Sequence, residues 1–120
     1  MVRTSSLTTF SFDIYYKGRG EDRFEWDSAK AVLNLKRHGV SFEEAATVFY
    51  DPDRLLSKDP WHSTAQELRE LAIGTSDTGK ELLVVYTERE THITRIISAR
   101  RVKRPERKRY YENQAKNRET

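Results

Sequence analysis

The sequence predicts an α+β fold in which an antiparallel β-sheet carries two N-terminal helices on one face and is followed by a C-terminal helix. Two helical patterns come first, within residues 28–51. Strand patterns separated by turn residues follow within residues 54–101, and a basic segment that starts near a proline comes last. Because 120 residues without a linker-like stretch bury one modest core, we expect a single main domain.

The first helix is predicted over residues 28–38, with Asp27 as its N-cap and Gly39 as a left-handed residue after its last turn. The short segment Phe24–Asp27 before it has the pattern of a strand. The face expected to pack inward is defined by side chains at helical spacing, namely Ala29, Val32, Leu33 and Lys36. We expect Leu33 in the core with other large apolar residues, namely Trp26, Phe42 and Phe49.

A second helix is predicted to begin after Ser41. Ser41 and Glu44 have the spacing of a capping box. In this motif the serine hydroxyl accepts from the Glu44 N–H, and the Glu44 side chain reaches back to accept from the Ser41 backbone N–H. Apolar residues recur at helical spacing, namely Phe42, Ala45, Ala46 and Phe49. The segment Asp51–Asp53 contains a proline and should end this helix.

Four strands are predicted after the helices, over residues 54–58, 68–74, 82–87 and from residue 91 or 92 to 101. The segment Ser76–Gly79 has the composition of a hairpin turn, and the run Leu82–Tyr86 is apolar on both faces, as is typical of a central strand. Pro105 suits the first turn of a final helix that reaches about Asn117.

Residues 1–23 differ in composition from the rest and leave two interpretations open. Phe10, Phe12 and Ile14 alternate with polar residues, which is the pattern of an added edge strand. The alternative is a disordered leader. In both cases we predict an N-terminal extension over residues 1–23 and one domain over residues 24–120.

Composition excludes several classes of function. The chain has no cysteine, which excludes disulfides, iron–sulfur clusters and a cysteine nucleophile. Its three histidines fall on different predicted elements without metal-ligand spacing, and there is no glycine-rich phosphate loop, so we expect no metal and no cofactor. No apolar run approaches membrane-spanning length and the N-terminus lacks a signal-peptide core, so we expect a cytoplasmic protein without a membrane partner.

Positive charge is concentrated at the end of the last predicted strand and in the helix after it. From Arg95 to Arg109 the chain has eight arginines and lysines and one acid, Glu106. Such a cluster repels itself, so the pattern favours a polyanionic partner such as RNA. Tyr110 and Tyr111 follow at once, and aromatic side chains beside a basic patch can stack on unpaired bases.

Several segments resemble the BrnT family of ribonuclease toxins, which belong to type II toxin–antitoxin systems and have a fold like that of the RelE toxins. The segments are Phe24–Asp27, Lys36–Ala45, Ile96–Arg101, and the pair Glu106-Arg107 with Tyr110. They agree with the family in order and spacing, and together they span about residues 24–112.

The resemblance implies a metal-independent endoribonuclease that cleaves RNA and inhibits translation. It also implies a BrnA-type antitoxin that neutralises the toxin and carries a ribbon–helix–helix segment, through which the complex reaches its operator DNA. Because ribbon–helix–helix proteins are dimers, the implied assembly is a heterotetramer of two toxins and two antitoxins.

Metal-free RNA cleavage needs a base for the 2′-hydroxyl, cations for the phosphorane-like transition state and an acid for the leaving 5′-oxygen. Arg100 is the first candidate for the phosphate contact, because a guanidinium can bind two phosphate oxygens. Side chains alternate along a strand, so Ser98 and Arg100 should point to the open face of the sheet, and Ile97 and Ala99 toward the helices. The residues predicted to bind RNA are Arg95, Ser98, Arg101, Arg104 and Lys36. The structural alternative for Arg100 is a salt bridge to Glu106.

His62 and Glu67 are both candidates for the base or the acid, and Arg69 lies two residues from Glu67 on the same strand face. A loop histidine before an acidic and basic pair also resembles the family. Tyr110 could orient the substrate or donate a proton. Each has a structural alternative: a solvated loop for His62, an ion pair between Glu67 and Arg69, and helix packing for Tyr110. His38 is interpreted as a residue that ends the first helix.

Two further functions stay open. A non-catalytic module that binds nucleic acid or protein would need only the basic patch, because phosphate contacts require no acid or base. A degenerate toxin would keep the fold and the antitoxin interface without the activity.

Overall fold

The computed structural model describes residues 12–59 and 63–119 of the chain. The described residues form six strands, β1 Asp13–Lys17, β2 Arg23–Asp27, β3 Leu55–Lys58, β4 Glu70–Thr75, β5 Glu81–Glu90 and β6 Ile93–Arg101. They also form three α-helices, α1 Ser28–His38, α2 Phe42–Thr47 and α3 Arg104–Glu119, and a short 3₁₀ helix, Val48–Tyr50. The fold is α+β. Within these residues no helix is long and apolar enough to cross a membrane.

The six strands form one mixed sheet in the order β1-β2-β6-β5-β4-β3. Neighbouring strands are antiparallel except for β2 and β6, which are parallel, with Phe24 opposite Thr94. The prediction of an antiparallel sheet is therefore wrong at this pair. Strand patterns favour pairing between chain neighbours, whereas a parallel pair needs a long crossover connection, and here residues 28–92 lie between the two strands.

Large side chains of β2, α2 and the central strands form the main hydrophobic core. Trp26, Phe42 and Val84 are each no more than 1% exposed. The rings of Trp26 and Phe42 meet edge to face with their centroids 5.8 Å apart. α1 contacts β2 and β6, and α2 contacts β6. Removing these apolar surfaces from water is the main driving force that holds the helices to the sheet.

α1 begins and ends at the predicted residues. The Asp27 carboxylate accepts from the N–H groups of Ala29 and Lys30 at 2.8 and 3.2 Å, which satisfies two donors of the first turn. Gly39 follows the helix in the left-handed conformation, with φ of 69°, and its N–H donates to the Leu35 carbonyl. The sequence thus determines both ends of this helix through local chemistry.

The capping box of α2 is half formed. The Ser41 hydroxyl accepts from the Glu44 N–H at 3.0 Å, as predicted. The Glu44 carboxylate does not return to Ser41 but accepts from the hydroxyls of Ser76 and Thr78 and from the ammonium of Lys80. These bonds connect α2 to the turn between β4 and β5, a long-range contact that a local motif does not predict.

The predicted inward face of α1 is wrong. Leu33 is 49% exposed, whereas the buried residue of the helix is Asn34. The Asn34 amide donates to the carbonyls of Val40 and Ala99 at 3.0 and 2.8 Å and accepts from the Ala99 N–H at 3.0 Å. The pairing of β2 with β6 ends at Arg95, so Asn34 takes the place of a neighbouring strand for Ala99. A helix that lies over a strand edge buries a polar side chain for this reason.

A smaller core lies on the opposite face of the sheet. Tyr110 of α3 is 2% exposed and packs with Ile73, Leu83 and Val102. Leu83 alternates along β5 with Val84 of the main core, which places the two clusters on different faces. The C-terminal helix therefore covers a different face from the main core.

A β-bulge in β6 changes which side chains share a face. The register of β6 against β5 shifts between Ile96 and Ser98, so that Ile97 is an extra residue. Ile96, not Ile97, lies in the main core with Ala99, and Ile97 is half-buried. The predicted burial toward the helices is confirmed for Ala99 and wrong for Ile97, because the bulge breaks the period of two.

Strand β1 lies at one edge of the sheet and pairs antiparallel with β2. The ring centroid of Tyr16 lies 5.7 Å from that of Trp26. Phe10, predicted on the alternating face of this segment, lies outside the described residues. The division of the chain at residue 24 stays a prediction.

We expect Asn34→Ala to destabilise the protein far more than Leu33→Ala, although leucine is the more apolar residue. Removing the amide leaves the buried N–H and carbonyl of Ala99 without their partner, at a cost of about 3 kcal/mol in the free energy of unfolding. Truncating the half-exposed Leu33 should cost about 1 kcal/mol or less. Urea denaturation of both variants measures the difference, and equal losses would contradict the role of Asn34.

Candidate active site

A cavity of about 410 Å³ opens on the sheet face of the smaller core, beside the end of β6. Apolar side chains of β4 and β5 form part of its lining. Ala99 of β6 also lines it, as do polar residues from α1, the segment before β4, β6 and α3, namely His38, Asp59, Arg69, Ser98, Arg100 and Glu106. The structure thus brings three of the predicted site residues, Arg69, Ser98 and Arg100, to one pocket.

Arg100 forms a bidentate ion pair in this pocket. Its two terminal nitrogens donate to the two carboxylate oxygens of Glu106 at 2.8 and 2.7 Å, and one of them also donates to the Arg101 carbonyl at 3.0 Å. The side chains of Arg100 and Glu106 are 28% and 22% exposed. The salt bridge is the structural alternative predicted for Arg100, and it also holds the guanidinium fork in the orientation that binds an anion through two oxygens.

Arg69 lies just before β4 and pairs with the carboxylate of Glu67. Its Nε donates to Glu67 at 3.0 Å, which is the predicted ion pair. Glu67 itself lines a neighbouring cavity. The backbone here is fixed because the Asp59 N–H donates to the Arg69 carbonyl at 2.9 Å and the Arg69 N–H donates to the Ser63 hydroxyl at 2.9 Å. Arg69 therefore enters the pocket from a well-anchored segment.

Arg95 lies in the neighbouring cavity and not in the pocket of Arg100. Its guanidinium donates to Asp13 at 2.9 Å and to Glu25 at 2.8 Å, and Arg89 also donates to Glu25 at 2.8 Å. Glu25 is 6% exposed, so it needs these cations. An RNA phosphate at Arg95 would have to compete with two ion pairs.

The remaining predicted RNA contacts are exposed residues on elements that border the pocket. Lys36 lies in the last turn of α1, Arg101 at the end of β6 and Arg104 at the start of α3. Their charges can attract a polyanion without being part of the pocket lining.

Tyr110 is not among the described residues that line the pocket. The Tyr110 hydroxyl donates to Asp51 at 2.5 Å and lies 3.0 Å from the Thr75 hydroxyl. Burial, together with the Asp51 carboxylate, raises the pKa of Tyr110 to about 12. This contact anchors α3 to the end of β4. His62 lies outside the described residues.

Sequence reasoning missed His38 and Asp59 as pocket residues. The signal that could have found His38 is its place in the segment Lys36–Ala45, which resembles BrnT. Asp59 is brought to the pocket by the tertiary fold, and no motif marks it. Among residues 12–59 and 63–119, no group of three or more His, Cys, Asp or Glu side chains is arranged to hold a metal ion.

A family model described as the ribonuclease toxin BrnT of a type II toxin–antitoxin system matches residues 26–106. The chain belongs to the BrnT family. The matched segment contains every described polar residue of the pocket, from His38 to Glu106. Membership in BrnT makes the chain a ribonuclease toxin, with RNA as its substrate class and an antitoxin protein as its partner.

A solved structure of the BrnT ribonuclease toxin from Brucella abortus is similar to this BrnT chain. The two are 21% identical, with a TM-score of 0.48, and the similarity covers 66% of this chain and 94% of that chain. No curated protein matches the sequence.

We expect the stabilising effect of Glu106 to depend on pH. The hydrogen bonds from Arg100, with one from the Lys103 N–H, lower the pKa of Glu106 below its ordinary value of about 4.3. The stabilisation is complete above that ordinary value and is lost as the pH falls through the lowered folded-state value. Glu106→Gln should therefore cost about 1 kcal/mol near neutral pH and much less near pH 3.

Urea denaturation of the parent and of Glu106→Gln at the two pH values measures this change. Glu112→Gln is a matched control, because Glu112 is an exposed residue of the same helix. If the difference in unfolding free energy between the parent and Glu106→Gln stayed the same at both pH values, the proposed effect of Glu106 ionisation on stability would be contradicted.

Proposed function

We propose that this BrnT protein is a metal-independent endoribonuclease in which Arg100 and Arg69 bind the phosphate that is cleaved. The observation that carries the proposal is the pocket that both arginines line, together with polar residues from α1, β6, α3 and the segment before β4. In this reaction the 2′-hydroxyl attacks the adjacent phosphorus and the 5′-oxygen leaves, and fixed cations lower the energy of the phosphorane-like transition state.

The carboxylates that pair with the two arginines support an anion site. Glu106 occupies the Arg100 fork through two oxygens, as a phosphate would. Among the described residues, Arg69 pairs with a carboxylate through its Nε alone, so its terminal nitrogens can bind a second anion. A substrate phosphate would therefore displace Glu106 from Arg100 and find Arg69 already partly positioned.

The sequence candidates for proton transfer differ in how well their positions suit that role. Glu67 is 40% exposed and adjoins Arg69, so it can reach a substrate that extends from the pocket to the neighbouring cavity. His62 remains a candidate on the sequence pattern alone. For Tyr110 we propose an anchoring role, because its hydroxyl is buried against Asp51 and Thr75.

The remaining proposals follow from membership in a family of type II toxins. We infer that cleavage inhibits translation in the cytoplasm and that a BrnA-type antitoxin neutralises the protein. The proposed complex is a heterotetramer that reaches operator DNA through the antitoxin. We keep residues 24–120 as the toxin domain and residues 1–23 as an extension. The exposed basic residues Lys36, Arg101 and Arg104 would bind RNA outside the pocket.

A non-catalytic binding module is the second candidate function. The observation that favours it is that each pocket arginine already has a carboxylate partner, as in a purely structural ion-pair network. Such a protein would still bind RNA through its exposed basic residues, because phosphate contacts alone give affinity.

We expect the purified toxin, free of antitoxin, to cut a long naked RNA in EDTA, and Arg100→Ala to cut it at least roughly 100-fold more slowly, because one donor to the developing charge is lost. Affinity for a non-cleavable RNA with 2′-O-methyl groups should fall only about threefold, since other basic residues remain. Single-turnover cleavage and fluorescence titration measure the two quantities.

Arg118→Ala is the matched control, because Arg118 is an exposed arginine in the last turn of α3. Arg100→Lys should remain strongly impaired, since an ammonium cannot replace the planar fork. Intact RNA with every variant would overturn free-standing ribonuclease activity on naked RNA. A binding module would instead show no cleavage. In Arg100→Ala the slope of the logarithm of RNA affinity against the logarithm of salt concentration would then fall by about one.

A further inference from the structure

The end of α1 places a histidine in the pocket. α1 ends at His38, and the left-handed Gly39 turns the chain away from the helix axis. His38 is exposed and lines both the Arg100 pocket and an adjoining cavity between α1 and β6. No described residue forms a hydrogen bond with its imidazole, so the ring can meet a substrate.

The position of His38 relative to Arg100 is fixed by the hydrogen bonds of Asn34. Residues four apart lie one above the other on a helix, so His38 follows Asn34 by one turn on the same side. Asn34 holds both the N–H and the carbonyl of Ala99, at 3.0 and 2.8 Å. Ala99 lies between Ser98 and Arg100 in β6. The same amide therefore ties the helix end that carries His38 to the strand end that carries Arg100.

The pocket otherwise has few groups that can donate a proton. Arginine keeps its proton at neutral pH, and carboxyl groups are ordinarily ionised there. Glu106 in particular is held as a carboxylate by Arg100, which lowers its pKa. Imidazole is the side chain that ordinarily exchanges a proton near neutral pH. Among the described lining residues, His38 is the one histidine.

We propose that His38 is the general acid of the cleavage reaction, which rests on the proposed ribonuclease function. The 2′-oxygen forms its bond to phosphorus while the bond from phosphorus to the 5′-oxygen breaks. The electron pair of that bond goes to the 5′-oxygen, which takes a proton from the His38 imidazolium. The 2′-hydroxyl proton passes to the carboxylate of Glu106, which the substrate phosphate has displaced from Arg100. The products are a 2′,3′-cyclic phosphate and a 5′-hydroxyl.

The test compares a short RNA that has an ordinary 5′-oxygen with one in which sulfur replaces that oxygen at the cleaved bond. A thiolate leaves without a proton, so it needs no acid. On the ordinary RNA, His38→Ala should cut at least roughly 100-fold more slowly than the parent. On the sulfur substrate, His38→Ala should cut within about threefold of the parent, which also shows that the variant is folded. Added imidazole should restore part of the lost rate on the ordinary RNA.

His92→Asn is the control histidine variant. His92 lies in the turn between β5 and β6, at the other end of β6 from Arg100, with φ of 67°, a conformation that asparagine tolerates. Parent-like cleavage of ordinary RNA by His38→Ala, or an equal loss on both substrates, would overturn the role of His38 as the acid. If the parent cuts neither substrate, the proposed ribonuclease function itself fails, and the role of His38 fails with it.

Discussion

The hydrogen bonds between Asn34 and Ala99 are the constraint on which the helix-to-strand arrangement depends. Strand β2 pairs with β6 only as far as Arg95, and the following part of β6 would otherwise have polar backbone groups facing a helix. The buried Asn34 amide satisfies the N–H and the carbonyl of Ala99, and it also donates to the Val40 carbonyl just after α1. The end of β6, the end of α1 and the start of α2 are thereby fixed together. Hydrogen bonds, and not apolar packing alone, hold α1 to β6 here, because hydrogen bonds fix the register between the helix and the strand.

The contact between Asn34 and β6 also lies beside the pocket. Its residues come from four separate parts of the chain, and the described ones are brought together by backbone bonds and ion pairs. Arg100 is oriented by Glu106, which is itself held by the N–H of Lys103 at 2.7 Å. Arg69 is oriented by Glu67 and by the bonds of its backbone. Cations that are held by a carboxylate before substrate arrives lose less side-chain entropy when they bind an anion.

Positive charge has two different functions in this molecule. Arg95 and Arg89 neutralise the buried Glu25, and so they belong to the structural framework. Within the part of the chain that the structure describes, Arg100 pairs with one carboxylate, that of Glu106, in an open pocket. The basic cluster identified in the sequence therefore divides into a structural part and a part that faces a cavity. Which arginine belongs to which part depends on the distances between strands that are remote in sequence.

Much of the fold could be predicted from local chemistry. Asp27 and Gly39 define the limits of α1, Ser41 defines the start of α2, and the apolar run from Leu82 to Tyr86 is the central strand. Each of these features depends on residues that are close together in the chain, so it can be predicted from the sequence alone. The presence of strands and helices in their observed order follows from the same kind of pattern.

The tertiary structure decided the rest. The parallel pairing of β2 with β6 follows from a crossover that no turn motif specifies. The bulge at Ile97 breaks the alternation of side chains along β6 and places Ile96 in the core. The burial of Asn34 in place of Leu33 follows from an incomplete strand edge. By itself the sequence determined the elements, the family resemblance and the arginine-rich strand end. The choice of pocket residues required the fold, because each of these contacts joins groups that the chain alone keeps far apart.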